Sequence, residues 1–204
     1  YLPYMPVYYG DEYPIRKTGR NPWSVFDVVQ FASQHTPGPV WLMLPAFGGL
    51  PEYTWHLPTG EEMRLMLWAA LAAGCDGITF HGSFSPPNWR VNRYYFYTAI
   101  DSYGAKTPCW DAMVEVGEQI TAIGPSLLNC AVDASEPFAL ECEQLEEYRG
   151  VYSGPAVRLG VLRQPGEAGG RFVIAVNQDL DEPRSATLMA DAEAVGADAV
   201  FVDL

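Results

Sequence analysis

Two adjacent carboxylates near the start of the chain, Asp11 and Glu12, are the residues best suited to do chemistry. They follow a β-rich run at 4–9 and precede Tyr13-Pro14, where a strand gives way to a loop. Hydrolysis of a glycosidic bond needs two carboxyl groups, about 5–5.5 Å apart for retention and roughly 6.5–9.5 Å for inversion. Neighbours on an extended strand point to opposite faces, so Asp11 and Glu12 do not form that pair with each other. Either could be one member of such a pair, or could bind sugar hydroxyls. A turn-forming Asp before Tyr-Pro is the plainer role for the first.

The candidate binding groups are aromatic and imidazole side chains in loops. They are Tyr13, Phe47, Trp55, His56, His81, Trp89, Arg90 and Tyr94. Flat aromatic faces suit sugar rings, and imidazole or guanidinium groups can hydrogen-bond hydroxyls or carboxylates. Simple loop packing would use the same residue types. Other polar residues have structural explanations. Glu61 and Glu62 begin a helix, where capping and the macrodipole account for them. His35 lies at the opposite end of its unit, Asn177 reads as a turn residue, and Trp41 lies inside a strand as a packing residue.

Several chemistries find no motif. There is no GxSxG elbow, no phosphate-cradling Gly loop and no HExxH. The four cysteines (Cys75, Cys109, Cys130, Cys142) have no CxxC pair and no ligand spacing, so neither a metal nor another cofactor is expected. Cys75 reads as a small buried hydrophobe. A Cys130–Cys142 disulfide stays open.

These groups need elements to hold them. Residues 39–82 read strand, loop, helix, strand. The apolar run 40–44 suits a buried parallel strand. Thr59-Gly60-Glu61-Glu62 is a capping box, and Met63, Met66, Leu67, Ala70 and Leu71 follow at helical spacing. Gly74 is placed to end that helix with positive φ, and 76–80 (DGITF) is the next strand. A second helix spans about 24–33, after Asn21-Pro22, with Val25, Phe26, Val28, Val29 and Ala32 as its apolar face. Residues 81–103 read as a long ordered loop. A helix at 110–123 is stopped by Gly124-Pro125. Beyond 126–135 the pattern changes. Short β-rich runs at 157–162, 171–176, 185–189 and 199–204, with turns between, predict an antiparallel sheet or sandwich.

Composition is globular: 49% hydrophobic, 18% charged and 13% aromatic residues over 204 positions. The net charge of −13 argues against nucleic acid and anionic membrane surfaces as partners. No run is long enough to span a bilayer. The charge fits a neutral or cationic ligand, the aromatic content suits sugar-binding clefts and large cores alike, and a homo-oligomer is left open. Three parallel strands with helices between them need partner strands, so further βα units are expected from a longer chain or another subunit.

Residues 7–128 resemble the last three βα units of (β/α)8-barrel glycoside hydrolases, most of all bacterial proteins related to the beta-galactosidase and agarase groups. The matching stretches are GDEYPI at 10–15, PVWLMLPAF at 39–47, PTGEEMRLMLWAALAAGCDGITF at 58–80 and WDAMVEVGEQITAIGPSLL at 110–128. The resemblance implies an α/β fold, with the carboxyl-terminal half of a TIM barrel at 1–128 and a β-sandwich domain at 129–204. It puts Asp11 and Glu12 at the top of strand six, Pro45–Phe47 at strand seven and 81–84 at strand eight, on the face that holds barrel active sites. The implied function is hydrolysis of O-glycosidic bonds by carboxylate acid/base chemistry. The sequence departs from the pattern at strand seven. The largest barrel clan carries its nucleophilic Glu there, and this chain has Leu44-Pro45-Ala46-Phe47, with no carboxylate until Glu52. That departure motivates the alternative of a non-catalytic carbohydrate-binding, structural or assembly protein on the same scaffold.

Overall fold

The computed structural model describes residues 2–3, 25–48, 58–81, 97–101, 103–133, 138–148, 152–166 and 170–190. The first region contains β1 (Leu2–Pro3), α1 (Val25–His35), β2 (Trp41–Pro45), β3 (Phe47–Gly48), α2 (Gly60–Ala72), β4 (Gly77–His81), β5 (Tyr97–Thr98) and α3 (Pro108–Leu127). β1, β2 and β4 form one parallel sheet in that order, with α1 and α2 as the intervening helices. The expected strand at 4–9 lies outside the described residues.

α2 forms for the reasons its sequence displays. The Thr59 hydroxyl accepts the Glu62 N–H at 3.3 Å, and the Glu62 carboxylate accepts the Thr59 N–H at 2.9 Å. At the other end Gly74 has φ 90°. Its N–H reaches the Leu71 carbonyl, and the Cys75 N–H reaches that of Ala70, which is the Schellman closure. A Cβ on Gly74 would meet a Val132 methyl at 2.3 Å, so both conformation and space require glycine. Val25, Phe26, Val29 and Ala32 of α1 and Met63, Met66, Leu67 and Ala70 of α2 share one core with Leu42 and Leu44 of β2.

α3 is longer than its expected span. It begins with Pro108 in the first turn and runs through Gly124-Pro125 to Leu127. Pro125 falls in the last turn, where only one helical N–H is lost, and the Leu128 N–H still bonds the Gly124 carbonyl at 2.9 Å. Within the expected loop at 81–103, Tyr97–Thr98 is a strand paired with Phe47–Gly48. Trp41 is not interior packing: it is 53% exposed, and its ring covers Gly77, where an added Cβ would sit 2.6 Å from the indole.

The second region is antiparallel. It contains β6 (Ala131–Val132), β7 (Phe138–Cys142), β8 (Gln144–Tyr148), β9 (Tyr152–Pro155), β10 (Val157–Arg163), β11 (Arg171–Asn177) and β12 (Ala186–Ala190). β10 pairs with β11 and β6, β7 with β12, and β8 with β9. The expected strand at 199–204 lies outside the described residues. All sheets have two or three strands, and neither a closed barrel nor a sandwich is identified among the described residues. All four cysteines are free, so Cys130 and Cys142 are not bridged.

The two regions pack closely. Ala72 at the end of α2 meets Gly160 of β10, and a Cβ on Gly160 would sit 1.9 Å from the Ala72 carbonyl oxygen. Val176 and Ile174 of β11 join the core formed by α1, α2 and the parallel sheet.

Candidate functional site

The carboxyl ends of adjacent parallel strands are where α/β folds place ligands. Here β2 and β4 end side by side. Pro45 is in register with His81, and the Ala46 N–H donates to the His81 carbonyl at 2.8 Å. This register brings Phe47 against His81. Their rings stand edge to face, with centroids 5.5 Å apart and planes at 84°. Phe47 is buried at 6% exposure, whereas His81 is exposed. Of the sequence-predicted site residues, these two are brought together.

A short strap fixes the back of this pair. Phe47 pairs with Thr98 and Gly48 with Tyr97 in an antiparallel ladder, and the Ala99 N–H reaches the Ala46 carbonyl at 3.2 Å. The strap is latched to the start of α3. The Thr107 hydroxyl can donate to the carbonyls of Thr98 and Ala99, 3.1 Å away in each case, and the Thr107 N–H bonds Ala99 at 2.9 Å. Thr107 therefore spends its hydroxyl on the strap instead of capping its own helix. Asp101 closes the turn between them, accepting the N–H groups of Tyr103 at 2.9 Å and Ala105 at 2.8 Å. The latch was not visible in the sequence, because a hydroxyl bonding carbonyls eight and nine residues back follows no local motif. The Asp101 turn did have a signal, in Asp-Ser-Tyr-Gly at 101–104.

The candidates Asp11, Glu12, Tyr13, Trp55, His56, Trp89, Arg90 and Tyr94 lie outside the described residues. Glu62 serves as the capping carboxylate. The Glu61 carboxyl is held below its ordinary range by its own backbone N–H, then by the Thr59 hydroxyl and Arg64. His35 stacks on Phe31 with centroids 4.2 Å apart, its Nδ1 2.8 Å from the Phe31 carbonyl. The Asn177 side chain bridges a turn, accepting the Asp179 N–H and donating to the Glu182 carbonyl. Cys75 is buried, and its thiol contacts the carbonyls of Gly77 and Val40. Cys109 is buried at the start of α3, and burial pushes its thiol up to about 11.

A cleft of about 610 Å³ opens at the other edge of the parallel sheet, lined by Ser33, Gln34, Val40, Asp76, Cys130 and Val132 among others. Its carboxylate is engaged in structure, since Asp76 accepts the Val40 N–H at 2.7 Å. Among the described residues, no three His, Cys, Asp or Glu side chains cluster as a metal site would require, and no helix is long and apolar enough to cross a membrane.

No family model, curated protein or solved structure matches this chain.

Proposed function

We propose that the parallel sheet belongs to a (β/α)8 barrel followed by a β-sandwich, and that the protein hydrolyses O-glycosidic bonds of a carbohydrate. The observation that carries this reading is the meeting of Phe47 and His81 at the carboxyl ends of β2 and β4. An exposed imidazole backed by an aromatic ring suits a hydroxyl-rich ligand. In this reading His81 hydrogen-bonds a sugar hydroxyl. Tyr13, Trp55, His56, Trp89, Arg90 and Tyr94 supply further ligand contacts. In the same reading Asp11 and Glu12 supply carboxyl chemistry.

The test is hydrolysis of a panel of 4-nitrophenyl glycosides by the intact protein, compared with its D11N and E12Q variants. Turnover that falls at least about a hundredfold in one of them supports the reading, since a positioned acid or base contributes 10²–10⁴-fold. Turnover unchanged in both removes these carboxylates from the mechanism.

A non-catalytic carbohydrate-binding protein is the second reading. It is favoured by the end of β2, where Pro45-Ala46-Phe47-Gly48 offers no carboxylate. Sugar binding without turnover across the panel would establish it over the first.

A further inference from the structure

We infer that Phe47 is a positioning residue: it acts on a bound sugar through His81 and makes no ligand contact of its own. The inference deepens the proposed site and rests on the reading of that edge as carbohydrate-binding. A sugar-stacking ring must offer a face to solvent, but Phe47 is 6% exposed while His81 beside it is exposed. The Phe47 ring is spent on the imidazole, edge to face at 5.5 Å. Such pairs favour a particular mutual orientation, so the phenyl ring narrows the orientations open to the imidazole.

The backbone around Phe47 is held for the same purpose. Strand β3 is pinned on one side by the β2–β4 register and on the other by Thr98, which is fully buried. The Thr107 latch then ties Thr98 and Ala99 to α3. The phenyl ring thus stands on a ladder anchored in three elements, and the imidazole, on the last residue of β4, leans on it.

The experiment is a double-mutant cycle on the intact protein, with binding of lactose and of cellobiose read by calorimetry. F47L, H81A and the double variant are compared with wild type, with F47Y as the conservative variant and F47M as a volume-conserving second choice should F47L fold poorly. We expect H81A to weaken binding of at least one sugar and F47L to weaken the same sugar by about tenfold, the upper value for an aromatic pair. F47Y should retain wild-type affinity. The double variant should bind no more weakly than H81A alone. Additive losses mean that Phe47 touches the sugar itself and overturn the inference, as does an F47L protein of unchanged affinity beside a weakened H81A. Wild type that binds neither sugar, or H81A that binds both as well as wild type does, sinks the site reading and the inference together.

Discussion

Arg158 on β10 is paired with Asp27 on α1, joining the antiparallel region to the first helix of the parallel one. The same guanidinium lies over the Phe26 ring, 4.4 Å from its centroid. Both charged side chains are about one-fifth exposed, at 19% and 23%. The pair is therefore neither a screened surface contact nor a fully desolvated one.

Replacing Arg158 removes a charge pair and a cation–π contact together. R158A is expected to cost about 2 kcal/mol, and R158K somewhat less, because a lysine keeps the charge but not the planar stack. Urea unfolding monitored by far-UV circular dichroism measures both. A loss under about 0.5 kcal/mol for R158A would class the pair with ordinary surface ion pairs.

Gly160 and Gly117 should respond to alanine with opposite signs. At Gly160 the new methyl would collide with a backbone carbonyl, which cannot turn aside. G160A is expected to destabilise by about 3 kcal/mol. Gly117 is an exposed position inside α3 with open space around it. G117A is expected to gain about 0.5–1 kcal/mol through helix propensity alone. Thermal melts of the two variants side by side decide the matter, and a stabilised G160A would mean that β10 and α2 are farther apart than described.

The start of α2 carries a pH signature. Glu61 titrates below its ordinary value in the folded protein, held there first by a backbone N–H and then by Thr59. In acid the unfolded chain binds this proton first. Its stabilisation is therefore complete above the ordinary Glu range and is lost as pH falls through the folded value. E61Q should flatten the acid limb of a melting-temperature profile and leave the neutral region nearly unchanged. T59A, which breaks the capping box, should cost about 1 kcal/mol at neutral pH. An E61Q profile parallel to wild type from pH 3 to 7 would remove Glu61 from the acid response.

The cysteines should alkylate in two classes. Cys75 and Cys109 are buried, whereas Cys130 and Cys142 are half-buried and unbridged; burial raises the thiols of Cys75, Cys109 and Cys130, so access is what separates the two classes. With iodoacetamide under native conditions, mass spectrometry should find Cys130 and Cys142 modified well before the other two, since reaction requires an accessible thiolate. Early modification of Cys109 would contradict its burial at the start of α3.

The elements that were legible in the sequence were those whose ends carry local chemistry. Thr59 and Glu62 announced the start of α2, and Gly74 its end, because capping and positive φ are written within four residues. The β10 and β11 runs were legible by composition and turn spacing, and the structure extends them to Arg163 and Asn177. The end of α3 is not legible from its Gly-Pro step, which stops a helix interior but is tolerated in its last turn. The exposure of Trp41 is not legible, because its surroundings depend on Gly77, a strand neighbour far along the chain. The Phe47–His81 pair could be named residue by residue, yet not as a pair: their meeting depends on the β2–β4 register, which no stretch of sequence specifies alone.

One consequence of the Ala72–Gly160 contact concerns how this fold could change over time. α2 has a sheet on either side, and its last turns, Ala69, Ala70, Ala72 and Ala73, are all buried. Helix-on-sheet layers ordinarily keep their distance through large side chains, but here glycine on the strand and alanine on the helix let backbone meet backbone. A larger residue at Gly160 would have to push β10 off the end of α2, so drift is confined to positions away from this contact. New binding properties would then arise from the loops at the strand ends, where length and side chain can vary without moving the layers.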